Sequence, residues 1–483
     1  MKLLVPLILV AALTGCAAIN PGAPAVKEIQ GAQLGLGNAP TVWPTDQWWQ
    51  RYQDLQLDRL ITQALNNNPS MAAAQARLGI ANAAVSGARA VQLPQLNAAY
   101  QMTRERFSEN YIYPPPYAGS MQTDNTLQLK LGFDLDLWGK NRARYAAAVS
   151  RAAASQADIQ LARNTLVGAV TQSYFNLQNS LAQHQVIERI VKQLEDVSNI
   201  THQRVTAGLD TQVEVNQAES ALSAARVQLS QVGVNADLLR HQLSALMGEG
   251  PDQGQAITRA TLASVPKGVP AQLPMNLLGR RPDIVAAKRQ VQASSSEISA
   301  AKAQFFPDIN LSAFAGFMSL GLGNLLNNGS KVYGAGPAIT LPIFHGGALN
   351  AQLNVKRSER DLAIAQYNQT VLTAVREVAD ASTAIRALQG QIVDQRASYK
   401  AISSAYDIAV QRYRSGLGNY VQVLLAQNEV QKQAILDTDL RARAYNLDAQ
   451  LATALGGGYD SVATPATGVS DTSNAAPGAR KPD

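Results

Sequence analysis

Cysteine is nearly absent. Cys16 is the only one in 483 residues, which excludes an internal disulfide and any cysteine-based metal site within the chain. Histidine is almost as scarce: His184, His202, His241 and His345 are scattered, without the paired spacing of a zinc site. No GxSxG nucleophile elbow and no P-loop occurs. An enzyme is therefore not expected, and neither is a cofactor or a resident metal. Aromatic residues make up 6% and charged residues 16% of the chain. That composition suits closely packed helices with a wet polar face better than a thick globular core. The formal charge of +6 is dispersed, and no cluster of Lys and Arg is interleaved with aromatics, so no nucleic-acid partner is expected. Proline is missing between Pro116 and Pro251 and again between Pro342 and Pro465, which leaves room for very long helices.

What the chain does contain, it contains twice. Residues 282–314, PDIVAAKRQVQASSSEISAAKAQFFPDINLSAF, restate residues 69–100, PSMAAAQARLGIANAAVSGARAVQLPQLNAAY. The segment QRYRSGLGNYVQVLLAQNEV from Gln411 echoes QRVTAGLDTQVEVNQAESAL from Gln203. An offset of a little over two hundred residues is too long for a solenoid and fits a duplicated subdomain. Each copy reads as a short helix, two strands, a very long helix, a Gly-Leu turn and a returning helix.

Met1–Cys16 has the form of a secretory signal, with Lys2 ahead of an apolar run from Leu3 to Leu13. The run falls short of the ~20 apolar residues that span a bilayer. It ends in Leu13-Thr14-Gly15-Cys16, which resembles the bacterial lipobox and implies cleavage before Cys16 and lipidation of its thiol. The alternative is an ordinary signal peptide with an incidental cysteine. The expected organisation is a signal peptide over 1–15, a lipidated tether over 16–45 and a first repeat over 46–248 with strands within 94–138. A connector over 249–272 follows, then a second repeat over 273–456 with strands within 307–345, and a disordered tail over 457–483.

Along Thr126–Trp138, Leu127, Leu129, Leu131, Phe133, Leu135 and Leu137 alternate with Gln128, Lys130, Gly132, Asp134 and Asp136. Leu96, Ala98, Tyr100 and Met102 alternate with polar or small neighbours in the same way. So do Ile309, Leu311, Ala313, Ala315 and Phe317, and Tyr333, Ala335, Pro337, Ile339, Leu341 and Ile343. A period of two held over ten or more residues places apolar surroundings on one side and water on the other, as in a membrane barrel. A soluble hairpin packed on a helix is the competing reading. Arg104–Asn125 and Met318–Val332 read as the hairpin loops. Four strands cannot close a barrel, since the smallest membrane barrels have about eight, and an open edge in lipid strands backbone groups at several kcal/mol each. If the strands span a membrane, the protein is an oligomer.

Asn141–Thr206 and Ala348–Arg414 read as proline-free helices of about 66 residues, roughly 100 Å each. Val371, Val378, Ile385, Ile392, Tyr399, Tyr406 and Tyr413 repeat every seventh position, the pattern of a coiled-coil seam. Each long helix meets a glycine turn, at Gly208-Leu209 or Gly416-Leu417.

Several segments together carry a family resemblance: Trp48-Trp49, Tyr52, Asp54 and Leu57-Asp58; Asn68-Pro69; Leu278-Gly279-Arg280-Arg281-Pro282-Asp283-Ile284; Phe306-Pro307-Asp308-Ile309; Leu341-Pro342-Ile343-Phe344; and Ala454-Leu455-Gly456-Gly457-Gly458. Over about residues 46–458 the chain resembles the TolC-like outer-membrane factors, and within them the NodT-type efflux lipoproteins. The resemblance implies a mainly α fold with transmembrane β: a homotrimer whose four strands per chain share one 12-stranded barrel, above a periplasmic α-barrel of coiled-coil helices. It implies docking to a periplasmic adaptor and an inner-membrane pump, of the resistance-nodulation-division or major-facilitator type, and contact with outer-membrane lipid. Gly208, Leu209, Gly416 and Leu417 are then the adaptor-docking tips. Family members often narrow the pore with aspartates just after the second tip, where this chain has Gln422 and Leu425. That directs attention to Asp210 and Glu214 in the first copy, with Tyr413 expected to donate a hydrogen bond to Glu214. A solvated helix-start role for Glu214 stands beside this. Drug efflux, metal or protein export, and a pore-less structural lipoprotein remain as functions; the strand alternation argues for a conduit.

Overall fold

The computed structural model describes residues 24–36, 43–261 and 277–460. Cys16 with the signal segment, residues 262–272 of the expected connector and the tail from 461 lie outside them. The first half of the chain builds α1 (Leu55–Asn67), α2 (Pro69–Ala90), β1 (Gln95–Arg106), β2 (Met121–Asp134), α3 (Lys140–Thr206) and α4 (Gln212–Leu246). The second builds α5 (Leu277–Arg280), α6 (Pro282–Ala303), β3 (Asp308–Leu320), β4 (Lys331–Thr340), α7 (Ala348–Arg414) and α8 (Tyr420–Ala454). α2 and α6 have 22 residues each, α3 and α7 have 67 each, and α4 and α8 have 35 each. Equal lengths at three successive levels identify the halves as copies.

Local chemistry sets the starts of these helices. Asp54 caps α1 by accepting from the Gln56 and Leu57 amides. Pro69 and Pro282 open α2 and α6, where a missing N–H costs nothing. Thr211 and Asn419, at equivalent places in the two copies, cap α4 and α8.

Compactness cuts across the duplication. Among the described residues, one unit takes Arg77–Ser155 and Ala286–Asn368 with the chain up to Glu28; the other takes those within Ile29–Ala76, Gln156–Val285 and from Gln369 on.

The first unit holds one antiparallel sheet in the order β1-β2-β3-β4. Its central β2–β3 pairing joins the halves. Register aligns the expected alternation across all four strands: Leu96 faces Leu131, Leu131 faces Ala313 and Ala313 faces Ala335. One face is therefore apolar over most of its height. The loops are shorter than the sequence suggested, because pairing continues through Arg104↔Thr123 and Arg106↔Met121, and through Asp124↔Leu320 on the other side of β2. The first loop is thus 107–120, where Phe107 stacks on Tyr113 at 4.0 Å. At the opposite end β2 stops at Asp134 rather than reaching Trp138. Asp136 leaves extended geometry at φ 41°, and its carboxylate accepts from the Asn141 and Arg142 amides to start α3. β4 stops at Thr340, ahead of Pro342 and of Gly346 and Gly347, whose φ values are 55° and 88°. Part of the expected tether is docked in this unit: Asn368 Nδ2 donates to the Lys27 carbonyl at 2.8 Å, and Glu28 pairs with Lys288.

The second unit is helical. The heptad side of α7 is its inner side there: Val371, Val378, Tyr406 and Tyr413 are buried, and Ile385, Ile392 and Tyr399 are partly so. Trp48, Trp49 and Tyr52 fill a core with Tyr174, Phe175 and Leu243. Arg281, 7% exposed, closes the end of α8 by donating to the Ala454 carbonyl at 3.0 Å while pairing with Asp283 and Glu377. Among the described residues no helix is long and apolar enough to cross a membrane.

Candidate functional site

The two helix–helix turns are built alike. In the first, the Gly208 amide donates to Val205 and the Leu209 amide to Arg204, with Gly208 at φ 72°. In the second, the Gly416 amide donates to Tyr413 and the Leu417 amide to Arg412, with Gly416 at φ 74°. This is the glycine-based helix stop that satisfies the last carbonyls. It leaves Leu209 and Leu417 pointing outward, 64% and 72% exposed.

The copies differ just after the glycine. Asp210 in the first copy stands where Gly418 stands in the second. Arg204 grips Asp210 with two nitrogens, at 2.8 and 3.2 Å, and its third donates to the Tyr413 carbonyl at 3.1 Å. The guanidinium lies over the Tyr413 ring, 4.6 Å from its centre. The Tyr413 hydroxyl donates to the same Asp210 carboxylate, and Thr201 Oγ1 lies 3.3 Å from that hydroxyl. One carboxylate thus fastens the end of α3 to the end of α7. In the second copy the equivalent arginine, Arg412, donates, among the described residues, to the Leu417 carbonyl of its own turn.

Electrostatics follow the geometry. Hydrogen bonding from Arg204 holds the Asp210 carboxyl below the usual carboxylate range, and Asp210 raises Arg204 in return. Burial, with the Asp210 carboxylate behind it, pushes the Tyr413 phenol up to about 12. At neutral pH the triad is therefore one anion held by one cation and one neutral donor.

This corrects the expected pairing of Tyr413 with Glu214. The Glu214 carboxylate turns back on its own helix start, accepting from the Thr211 amide at 2.9 Å and from the Thr211 hydroxyl. It completes a capping box with Thr211, whose hydroxyl oxygen accepts from the Val213 amide, and those bonds lower its carboxyl. Gln422 donates its amide to Asn419 at the start of α8 and leaves its side chain exposed; Leu425 is also exposed. Arg204 was missed from the sequence. Its signal was present, since Arg204 and Arg412 align between copies while only the first has an aspartate six residues on.

Comparison with known proteins agrees with this architecture. The family model described as outer membrane efflux protein matches twice, over residues 60–249 and 273–457. The multidrug resistance outer membrane protein MdtQ of Escherichia coli O6:H1 is 32% identical over 469 residues, covering 94% of this chain and 97% of its own. The fusaric acid resistance protein FusA of Burkholderia cepacia is 35% identical over 351 residues, 71% of this chain and 66% of its own. Among solved structures, the outer membrane protein VceC of Vibrio cholerae superposes with a TM-score of 0.82 at 34% identity, over 87% of this chain and 100% of that one.

Proposed function

Because the chain belongs to the outer membrane efflux protein family and so acts as a channel in the outer membrane, we propose that it is the outer-membrane subunit of a tripartite efflux system. In this reading it is a passive homotrimeric conduit that passes drugs or other small molecules from the periplasm, or from an inner-membrane pump, to the exterior. The observation that carries it is the four-stranded sheet with one apolar face, in which β1 and β4 are each paired on one side only. In lipid such a sheet needs further copies to complete it. The names of MdtQ and FusA, one for multidrug and one for fusaric acid resistance, support small organic cargo.

The exposed tips at Gly208-Leu209 and Gly416-Leu417 are assigned to a periplasmic adaptor, and the pump behind it supplies the energy. Cys16 is assigned the lipid anchor. One acyl chain alone anchors marginally, so barrel and lipid act together. The Arg204–Asp210–Tyr413 triad is assigned to hold the periplasmic aperture closed, and Leu425 with Gln422 to face its bore. Glu214, spent on its helix cap, has a minor part. The test is complementation: in cells that lack their own efflux channel but retain an adaptor and pump, this protein should lower accumulation of a fluorescent substrate dye. Unchanged accumulation, with the assembled protein present in the outer membrane, refutes the reading.

A further inference from the structure

The apolar face of the sheet does not stay apolar to its end. By register it comprises alternate residues: Leu96 to Arg106 on β1, Met121 to Phe133 on β2, Ile309 to Ser319 on β3 and Lys331 to Ile339 on β4. Along these strands the face holds no acidic residue. Its only basic residues are Arg104, Arg106 and Lys331, all at the hairpin-loop end. The acids Glu105, Asp124, Asp134 and Asp308 lie on the opposite face.

Depth fits a function for them. At about 3.3 Å per residue and the usual tilt near 40°, Arg104 stands about 20 Å above Leu96 and Arg106 about 25 Å above it. They therefore bracket the rim of an outward apolar band about 25 Å tall. Tyr333, 83% exposed, sits two residues below Lys331 at the level of an aromatic girdle. Arg106 is held by Glu109 at 2.6 Å, but Arg104 and Lys331 are exposed and make no ion pair among the described residues.

We propose that Arg104, Arg106 and Lys331 form a site for the phosphate groups of an anionic glycolipid in the outer leaflet. The site rests on the shared-barrel reading, because β1 and β4 are the two edges of the sheet. Closing the barrel lays β1 of one copy beside β4 of the next, which gathers all three cations at each seam between copies. Planar guanidinium forks and a lysine suit a phosphate monoester, and the apolar strip beneath them accepts acyl chains.

Native mass spectrometry of the full-length protein in detergent tests this, with diphosphoryl lipid A, dephosphorylated lipid A, phosphatidylethanolamine and inorganic phosphate as probes. The wild type should bind diphosphoryl lipid A at least tenfold better than the dephosphorylated form. An R104Q/R106Q/K331Q variant should lose that preference while binding phosphatidylethanolamine as the wild type does. Lys331→Gln alone should reduce the preference, which provides a reading if the triple variant fails to assemble. Equal binding of the two lipid A forms by a wild-type trimer overturns the site and leaves the barrel standing, and so does displacement by millimolar inorganic phosphate. A monomeric wild-type mass overturns the barrel and the seam with it.

Discussion

Asp210 accepts from two side chains on two different long helices, and removing its charge weakens both bonds at once. A hydrogen bond to a charged group contributes roughly 1.5–3 kcal/mol. If the triad keeps the aperture shut, Asp210→Asn or Tyr413→Phe should shift the closed-to-open balance about tenfold to a hundredfold, read as raised single-channel conductance in planar bilayers. Glu214→Gln should leave conductance unchanged. The pH dependence has a defined sign. Asp210 lies below its ordinary value, so its contribution is complete above pH ~4 and fades as pH falls through that lowered value. Tyr413 lies above its ordinary value, so its contribution is complete below pH ~10 and is lost as pH rises through about 12. Closed-state conductance should therefore stay flat between about pH 5 and 9; a rise within that window means another group holds the gate. The sequence marked the acids at the first turn but not which of them Tyr413 meets. Glu214 satisfies a local rule, the cap three residues back. The Asp210–Tyr413 bond instead joins residues 203 apart, and only packing of one copy against the other sets it.

At the scale of the element, glycines separate two kinds of constraint. Gly208 has a positive φ and open space around it, so Gly208→Ala strains the turn without a collision and should cost about 1 kcal/mol, while asparagine should be tolerated. Gly316 is the reverse. A Cβ there would lie 2.0 Å from the Leu127 carbonyl oxygen in the neighbouring strand, and backbone cannot step aside as a side chain can. Gly316→Ala should open the β2–β3 pairing and abolish the oligomer in native mass spectrometry. Gly132→Ala, on a strand paired on both sides within the chain and with nothing within 4 Å, serves as the matched control and should assemble as the wild type. The exposed leucines of the tips offer apolar contact to a partner. Leu209→Asp with Leu417→Asp should keep the oligomer and stop efflux; normal drug resistance in that double variant removes the docking assignment. Element types were legible because their periods, two for strands and seven for the α7 seam, extend over many residues. Ends were less so. Leu135 and Leu137 continue the alternation of β2, yet the Asp136 carboxylate takes the first amides of α3 and ends the strand early.

For the whole molecule, the duplication was the most legible feature and the oligomer the least, since a single chain shows unpaired edges but not what pairs with them. β1 has 12 residues and β4 has 10. On an antiparallel edge every second residue turns its N–H and C=O outward, which leaves roughly ten unpaired groups per edge. At several kcal/mol for each group in hydrocarbon, two free edges cost tens of kcal/mol, against a folding stability of about 5–15 kcal/mol. A lone inserted chain is excluded by that margin. Two copies would give eight strands and three would give twelve, and closure alone permits either. The conduit proposed above is the twelve-strand case. Native mass spectrometry in detergent should give three chains per particle. Engineered cysteines on β1 and β4, in a Cys16→Ser background, should cross-link between copies and never within one. A stable folded monomer, or cross-links confined to a single chain, would show that the strands lie against something other than their own kind.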